Sequence, residues 1–140
     1  MSDYVVYFSV LALLGILYAQ AYKRYVFTPK IQRLDRVRQF RYARNLNTEL
    51  INLLWQDAAR LEYAGLAFNG ATFDDTLDAL QNLRDNLYTT QNFKQLAGKQ
   101  KAGRAHVEAL QQNISKQIQM QQQIRADYHK LLDRFNRMAA

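Results

Sequence analysis

Asp74, Asp75 and Asp78 are three carboxylates within five positions. Grouped carboxylates are what cation binding or general acid–base chemistry calls for. Thr72 stands three residues before Asp75, in the form of a capping box with Asp in place of the usual Glu or Gln. Acids in a first helical turn complement the positive end of the helix dipole, and that is their expected role here. His106 and His129 are about six helical turns apart with no carboxylate at ligand spacing, so neither is expected to hold a metal. Gly98 and Gly103 have the glycine spacing of a phosphate loop, but the Lys-Ser/Thr pair of such loops is missing. A basic interhelical turn is the expectation there. The chain has no cysteine, which removes disulfides, thiolate metal sites and thiol nucleophiles. With no Ser/His/Asp set and no glycine-rich cofactor loop, the expectation is a protein that is not an enzyme and carries no cofactor or metal.

The chemistry this sequence does offer is electrostatic. Lys23, Arg24, Lys30, Arg33, Arg36, Arg38, Arg41 and Arg44 face a single acid, Asp35, across the same stretch. Their excess of +7 equals the formal net charge of the whole chain, because the other eleven basic residues are matched by eleven acids. The sequence pI of about 9.8 therefore describes a basic collar on an otherwise neutral protein. Counterion release could drive such a segment onto nucleic acid, but its place beside an apolar segment points elsewhere. Anionic lipid headgroups are the expected partner, at about 1 kcal/mol per basic residue near the surface. Arg33, Arg36 and Arg44 also share a helical face and can pair with acids on a partner subunit. No nucleic-acid partner is expected.

The apolar segment that precedes the collar explains its setting. From Tyr4 to Tyr22 there is no charged residue, and Gln20 is the one strongly polar side chain. As a helix this stretch is roughly 28 Å long, close to the hydrocarbon thickness of a bilayer. Tyr4, Tyr7 and Phe8 mark one interface and Tyr22, Tyr25 and Phe27 the other, at the depth amphipathic aromatics prefer. Ala19-Gln20-Ala21 has the form of a cleavage site, yet no positive n-region precedes it and Asp3 stands where a lysine is expected. An uncleaved anchor is the expectation. Positive charge beside a span stays on the inner side. The expected location is an inner membrane, either mitochondrial inner or bacterial cytoplasmic, with the N-terminus outside and the C-terminal region in the matrix or cytoplasm. Within the span, Gly15 and Ala19 form a small-xxx-small step that permits close helix packing in lipid.

One proline and five glycines leave little room for a β-fold with many turns. The expected fold is all-α: a single transmembrane helix over 1–28, then three long helices arranged as a hairpin or coiled coil. The first, over 29–69, opens at Pro29, whose missing N–H costs nothing in a first turn. Leu46, Leu50, Leu53, Leu54, Ala58, Leu61 and Ala64 recur along it at helical spacing, Trp55 is expected as a packing anchor, and Asn69-Gly70 ends it. The second, over 72–97, starts at the Thr72 cap, and Tyr88-Thr89-Thr90 either frays it or lets it continue. The third, over 104–140, has the cleanest pattern. Val107, Leu110, Ile114, Gln117, Gln121, Ile124, Tyr128, Leu131, Phe135 and Met138 fall on alternating three and four steps. That is a coiled-coil seam with two polar register positions, able to pair within the chain or to form a homo-oligomer.

The membrane exit reads Tyr22-Lys23-Arg24-Tyr25-Val26-Phe27-Thr28-Pro29-Lys30-Ile31. It resembles the corresponding part of the b subunit of F-type ATP synthases, in which a single span with its N-terminus outside leads through a basic residue, an aromatic, an apolar pair and a proline into a long charged helix. The resemblance covers about the first forty-five residues. Beyond them the chain departs from that family's unbroken Ala/Glu/Lys-rich helix: it is rich in Gln and Asn and carries breaks at Asn69-Gly70 and between Gly98 and Gly103. What the resemblance implies is a divergent peripheral-stalk or accessory subunit. The functional expectation is a membrane-anchored scaffold or stator-like subunit of an energy-transducing complex, with other membrane subunits as partners. A membrane-tethered coiled-coil adaptor for division, secretion or envelope organisation is the alternative.

Overall fold

The computed structural model describes residues 2–57, 67–68 and 71–139. The protein is all-α. The elements in chain order are α1 (Ser2–Tyr22), a π-helical turn (Lys23–Phe27), α2 (Thr28–Gln56), a two-residue ladder of β1 (Ala67–Phe68) with β2 (Ala71–Thr72), α3 (Phe73–Asn86), α4 (Thr90–Leu96) and α5 (Arg104–Ala139). The chain divides into two compact units, Met1–Asp35 and Arg36–Ala140.

In the first unit, α1 is apolar on every face. Ser9, inside it, satisfies its hydroxyl by donating to the Val5 carbonyl at 2.7 Å. The π turn that follows is a consequence of Pro29. A proline gives no N–H to the carbonyl four residues earlier and its ring crowds that carbonyl. Here the helix widens instead: the Thr28 N–H bonds to the Lys23 carbonyl, five residues back, and the Thr28 hydroxyl donates to the same oxygen at 2.7 Å. Pro29 accordingly sits second in α2, and the expected fresh helix start is a widened turn running into α2.

The second unit is a bundle built around two apolar clusters. Leu46, Leu50, Ile51 and Leu54 of α2 meet Phe73, Leu77 and Leu80 of α3 and Ile124 and Tyr128 of α5. Phe40 and Ala43 of α2 meet Leu87, Tyr88, Leu96 of α4, and Val107, Leu110 and Ile114 of α5. Each fully buried large side chain contributes about 1.5–3 kcal/mol, which is what holds three amphipathic stripes together. Two buried amides lie where the clusters adjoin along the helices. Asn47 donates Nδ2 to the Leu80 carbonyl at 2.9 Å, tying α2 to α3, and Gln121 donates Nε2 to the Ala43 carbonyl at 3.2 Å, tying α5 to α2.

Three expectations change. The helix expected over 29–69 is described as helical only to Gln56, and Phe68 is extended in the β1–β2 ladder; Ala58, Leu61, Ala64 and Asn69-Gly70 lie outside the described residues. The single middle helix over 72–97 is two. Thr89 leaves helical conformation and its hydroxyl accepts from the Asn92 N–H at 3.2 Å, while the Asn92 amide donates to the Leu87 carbonyl at 2.8 Å. One asparagine thus serves the end of one helix and the start of the next, which makes the break cheap. Trp55 is 58 % exposed. It follows buried Leu54 by one residue, and a step of about 100° turns it out of the seam.

Candidate functional site

The acidic cluster and the histidines lie in ordinary helical settings, and the glycine pair lies in the turn between α4 and α5. The Asp75 N–H bonds to the Thr72 hydroxyl at 3.2 Å, so Asp74 and Asp75 occupy the first turn of α3 and stay exposed, as the dipole argument requires. His106 Nε2 meets Gln95 Oε1 at 2.9 Å, joining α5 to α4, and His129 packs edge-on to Tyr128. No group of three metal-ligating side chains gathers among the described residues. Two open grooves run along α5, one of them shared with α3. They are lined by amides such as Asn82, Asn86, Asn113 and Gln117, without a carboxylate or histidine.

The elements that carry charge and exposed apolar surface are different ones. In the first unit the large side chains from Tyr4 to Tyr18 are all exposed, and a Cβ built on Gly15 would meet nothing within 4 Å. Gly15 and Ala19 are one turn apart on α1 with no described part of the chain covering them. Among the described residues one helical run is long and apolar enough to cross a membrane, with a mean hydropathy of 1.8 in its apolar window. Lys23 and Arg24 project from the π turn, with the Arg24 guanidinium 5.8 Å from the Tyr25 ring centre, and Lys30 and Arg33 are exposed on the first turns of α2. In the second unit Arg36 is half-buried, and Arg38, Arg41 and Arg44 are exposed. Arg41 lies 5.7 Å from the Phe93 ring centre and Arg44 5.9 Å from that of Phe40, so both guanidiniums rest on aromatic faces of the second cluster.

The seam of α5 closes on its own chain. Val107, Leu110, Ile114, Ile124 and Tyr128 are buried against α2, α3 and α4, Leu131 packs on the first cluster, and Phe135 is half-buried. Met138 is 78 % exposed. Of the two pairings the sequence left open, the one within the chain is present along this face as far as Tyr128. Gln121, a register position of that seam, is fully buried, and the Tyr88 hydroxyl lies beside its amide without a hydrogen bond of normal geometry. Burial pushes the Tyr88 pKa up to about 12, and the Gln121 side chain offsets part of that rise.

Sequence reasoning expected a basic turn between α4 and α5 but not that it meets the same aromatic ring as α2. Lys99 Nζ lies 5.9 Å from the same Phe93 ring centre that Arg41 approaches. The only signal in the chain was the run from Asn86 to Val107, which contains Lys94, Lys99, Lys101 and Arg104 and no acid. No family model matches this sequence, and neither a curated protein nor a solved structure is similar to it.

Proposed function

We propose that this chain is a membrane-anchored structural subunit, a scaffold that tethers a helical bundle to the inner side of a membrane within a larger assembly. The observation that carries the reading is α1, whose apolar side chains are exposed throughout and joined directly to a +7 segment. An uncovered apolar helix of this length is unfavourable in water by far more than a domain's net stability, so hydrocarbon is its natural surrounding. The collar then orients the span and meets anionic headgroups, with the N-terminus outside. The partner complex we favour is an energy-transducing one, with this chain as an accessory or peripheral-stalk-like subunit of an ATP synthase. The likeness of the exit segment supports that choice. The fold-back of α3 to α5 onto α2 limits it to a compact accessory role, since a stalk lever needs one long rod.

Extraction in mild detergent followed by native electrophoresis tests the reading. Co-migration with a large respiratory or ATP synthase assembly is the expected result. Migration as a small homo-oligomer would replace it with the membrane-tethered adaptor. Recovery of the full-length chain in the aqueous fraction, with no detergent present, would remove the anchor itself.

A further inference from the structure

Within the second unit, a groove of about 380 Å³ runs between α3 and α5. Its walls are amides: Asn82 and Asn86 of α3 on one side, Asn113 and Gln117 of α5 on the other. Beneath them lie Leu83, half-buried, and Leu87, buried. The two helices are antiparallel here, because Leu77 and Leu80 share a cluster with Ile124 and Tyr128 while Leu87 shares one with Leu110 and Ile114. In that register Asn86 stands across from Asn113, Asn82 across from Gln117, and Ala79 across from Met120 at the far end.

Each wall pairs its amides only along its own helix. Asn86 donates to the Asn82 carbonyl oxygen, and Gln117 donates Nε2 to Asn113 Oδ1 at 3.4 Å, which is long for such a bond. Among the described residues no hydrogen bond crosses from one wall to the other. Gln117 Oε1 is shielded from solvent and accepts no hydrogen bond, an unfavourable state for a buried acceptor. It calls for an incoming N–H. None of the eight lining residues is ionisable, so a charged ligand would find no counter-charge in the groove.

Spacing narrows the ligand further. Amides four residues apart on a helix are separated by about 6 Å along its axis. The peptide groups that face one side of an extended chain recur every second residue, at about 6.6 Å. From Ala79 to Asn86 the groove runs about 10 Å, the length of about three extended residues. An amide carries both a donor and an acceptor, as a peptide group does, so each wall can address alternate peptide groups on one edge of such a chain. The apolar floor leaves room for small uncharged side chains.

We propose that the α3–α5 groove is a docking site for a short, uncharged, extended peptide segment of a partner protein, held by its backbone between the two amide walls. Groups that read a backbone give affinity, and the floor selects side chains. The site lies wholly within the second unit and does not depend on where α1 resides.

The test uses the full chain, isotope-labelled and held in detergent micelles, with its side-chain amide signals followed by NMR. The probe is a blocked pentapeptide of alanine, valine and serine. The signals of Asn82, Asn86, Asn113 and Gln117 are expected to shift saturably, while those of Gln119 and Gln123, exposed elsewhere on α5, stay fixed. The same peptide N-methylated at alternate residues should bind at least about tenfold more weakly, because one edge loses its donors. Asn82→Leu combined with Asn113→Leu, both at exposed positions, should weaken the unmodified peptide about tenfold while the circular dichroism of the bundle is unchanged. Four unmoved signals, or equal affinity for the N-methylated peptide, overturn the proposal. Equal shifts with maltose give the groove to neutral polyols, and shifts on concentrating the chain alone give it to a second copy; either result overturns it as well. Every one of these readouts is independent of whether α1 spans a membrane, so the anchored reading is tested separately by extraction.

Discussion

Tyr88 and Gln121 show how single buried polar groups behave in this bundle. Tyr88 has an apolar environment on most sides, with Phe40 edge-on at 5.9 Å, and its hydroxyl resists ionisation. Its folded pKa of about 12 lies above the unfolded value of 10.0. The stability it contributes is complete below the unfolded value and is lost as pH rises towards the folded one. The bundle should therefore destabilise between those two values. Tyr88→Phe should remove that part of the alkaline loss, measured by thermal melts across the window, and delete one late-titrating phenol from the ultraviolet difference spectrum. At neutral pH Tyr88→Phe should be nearly neutral, since no normal hydrogen bond is broken. Gln121 bonds with one amide group and leaves Oε1 unpartnered. Replacing it by methionine of similar shape should change stability by less than about 1 kcal/mol. Leu80→Ala, at a fully buried position, should cost about 2–5 kcal/mol, measured by chemical denaturation.

Among the elements, the junctions are decided by local backbone chemistry. Thr89 caps α4 with a side-chain oxygen, and Thr89→Ala should cost about 1 kcal/mol in unfolding free energy. Gly98 takes a left-handed conformation that a Cβ disfavours, so Gly98→Ala should cost about 1–2 kcal/mol, read from the same denaturation curves. The Thr72 cap was legible in the chain, because its signal lies within three residues. The division between α3 and α4 was less so. Its decisive contact, Asn92 reaching back to Leu87, looks like any other polar residue in a helical stretch until the turn is formed. The π turn has the same character: Pro29 announces a disturbance, and the neighbouring Thr28 hydroxyl decides that the helix widens without stopping.

The whole molecule joins two kinds of surface: a helix that is apolar all round and a bundle of amphipathic helices with a polar exterior. Membrane topology is the property to measure at this level. In sealed vesicles of native orientation, protease added from the outer side should leave everything after Tyr22 intact, and permeabilisation should expose the collar and bundle to cleavage. Digestion of the bundle from outside would reverse the orientation that the collar implies. The candidate site was legible in outline, because the basic residues from Lys23 to Arg44 fall within one short stretch and the helix before them is long and apolar enough to cross a membrane. That Lys99 shares the Phe93 ring with Arg41 was hidden, since the two are 58 positions apart in the chain.

Helical class, the apolar span, its basic flank and the α5 stripe are all written in the order of residues, because periodicity and charge density are properties of short windows of chain. A period says that a face is buried and leaves open what buries it. Whether α5 would meet another chain or its own α2 and α3 depended on contacts such as Gln121 to Ala43, 78 positions apart. The union of Arg41 with Lys99 depended likewise on the fold-back that puts Phe93 between them. Folding made those choices, since the energy of such a contact exists only after the intervening chain has turned.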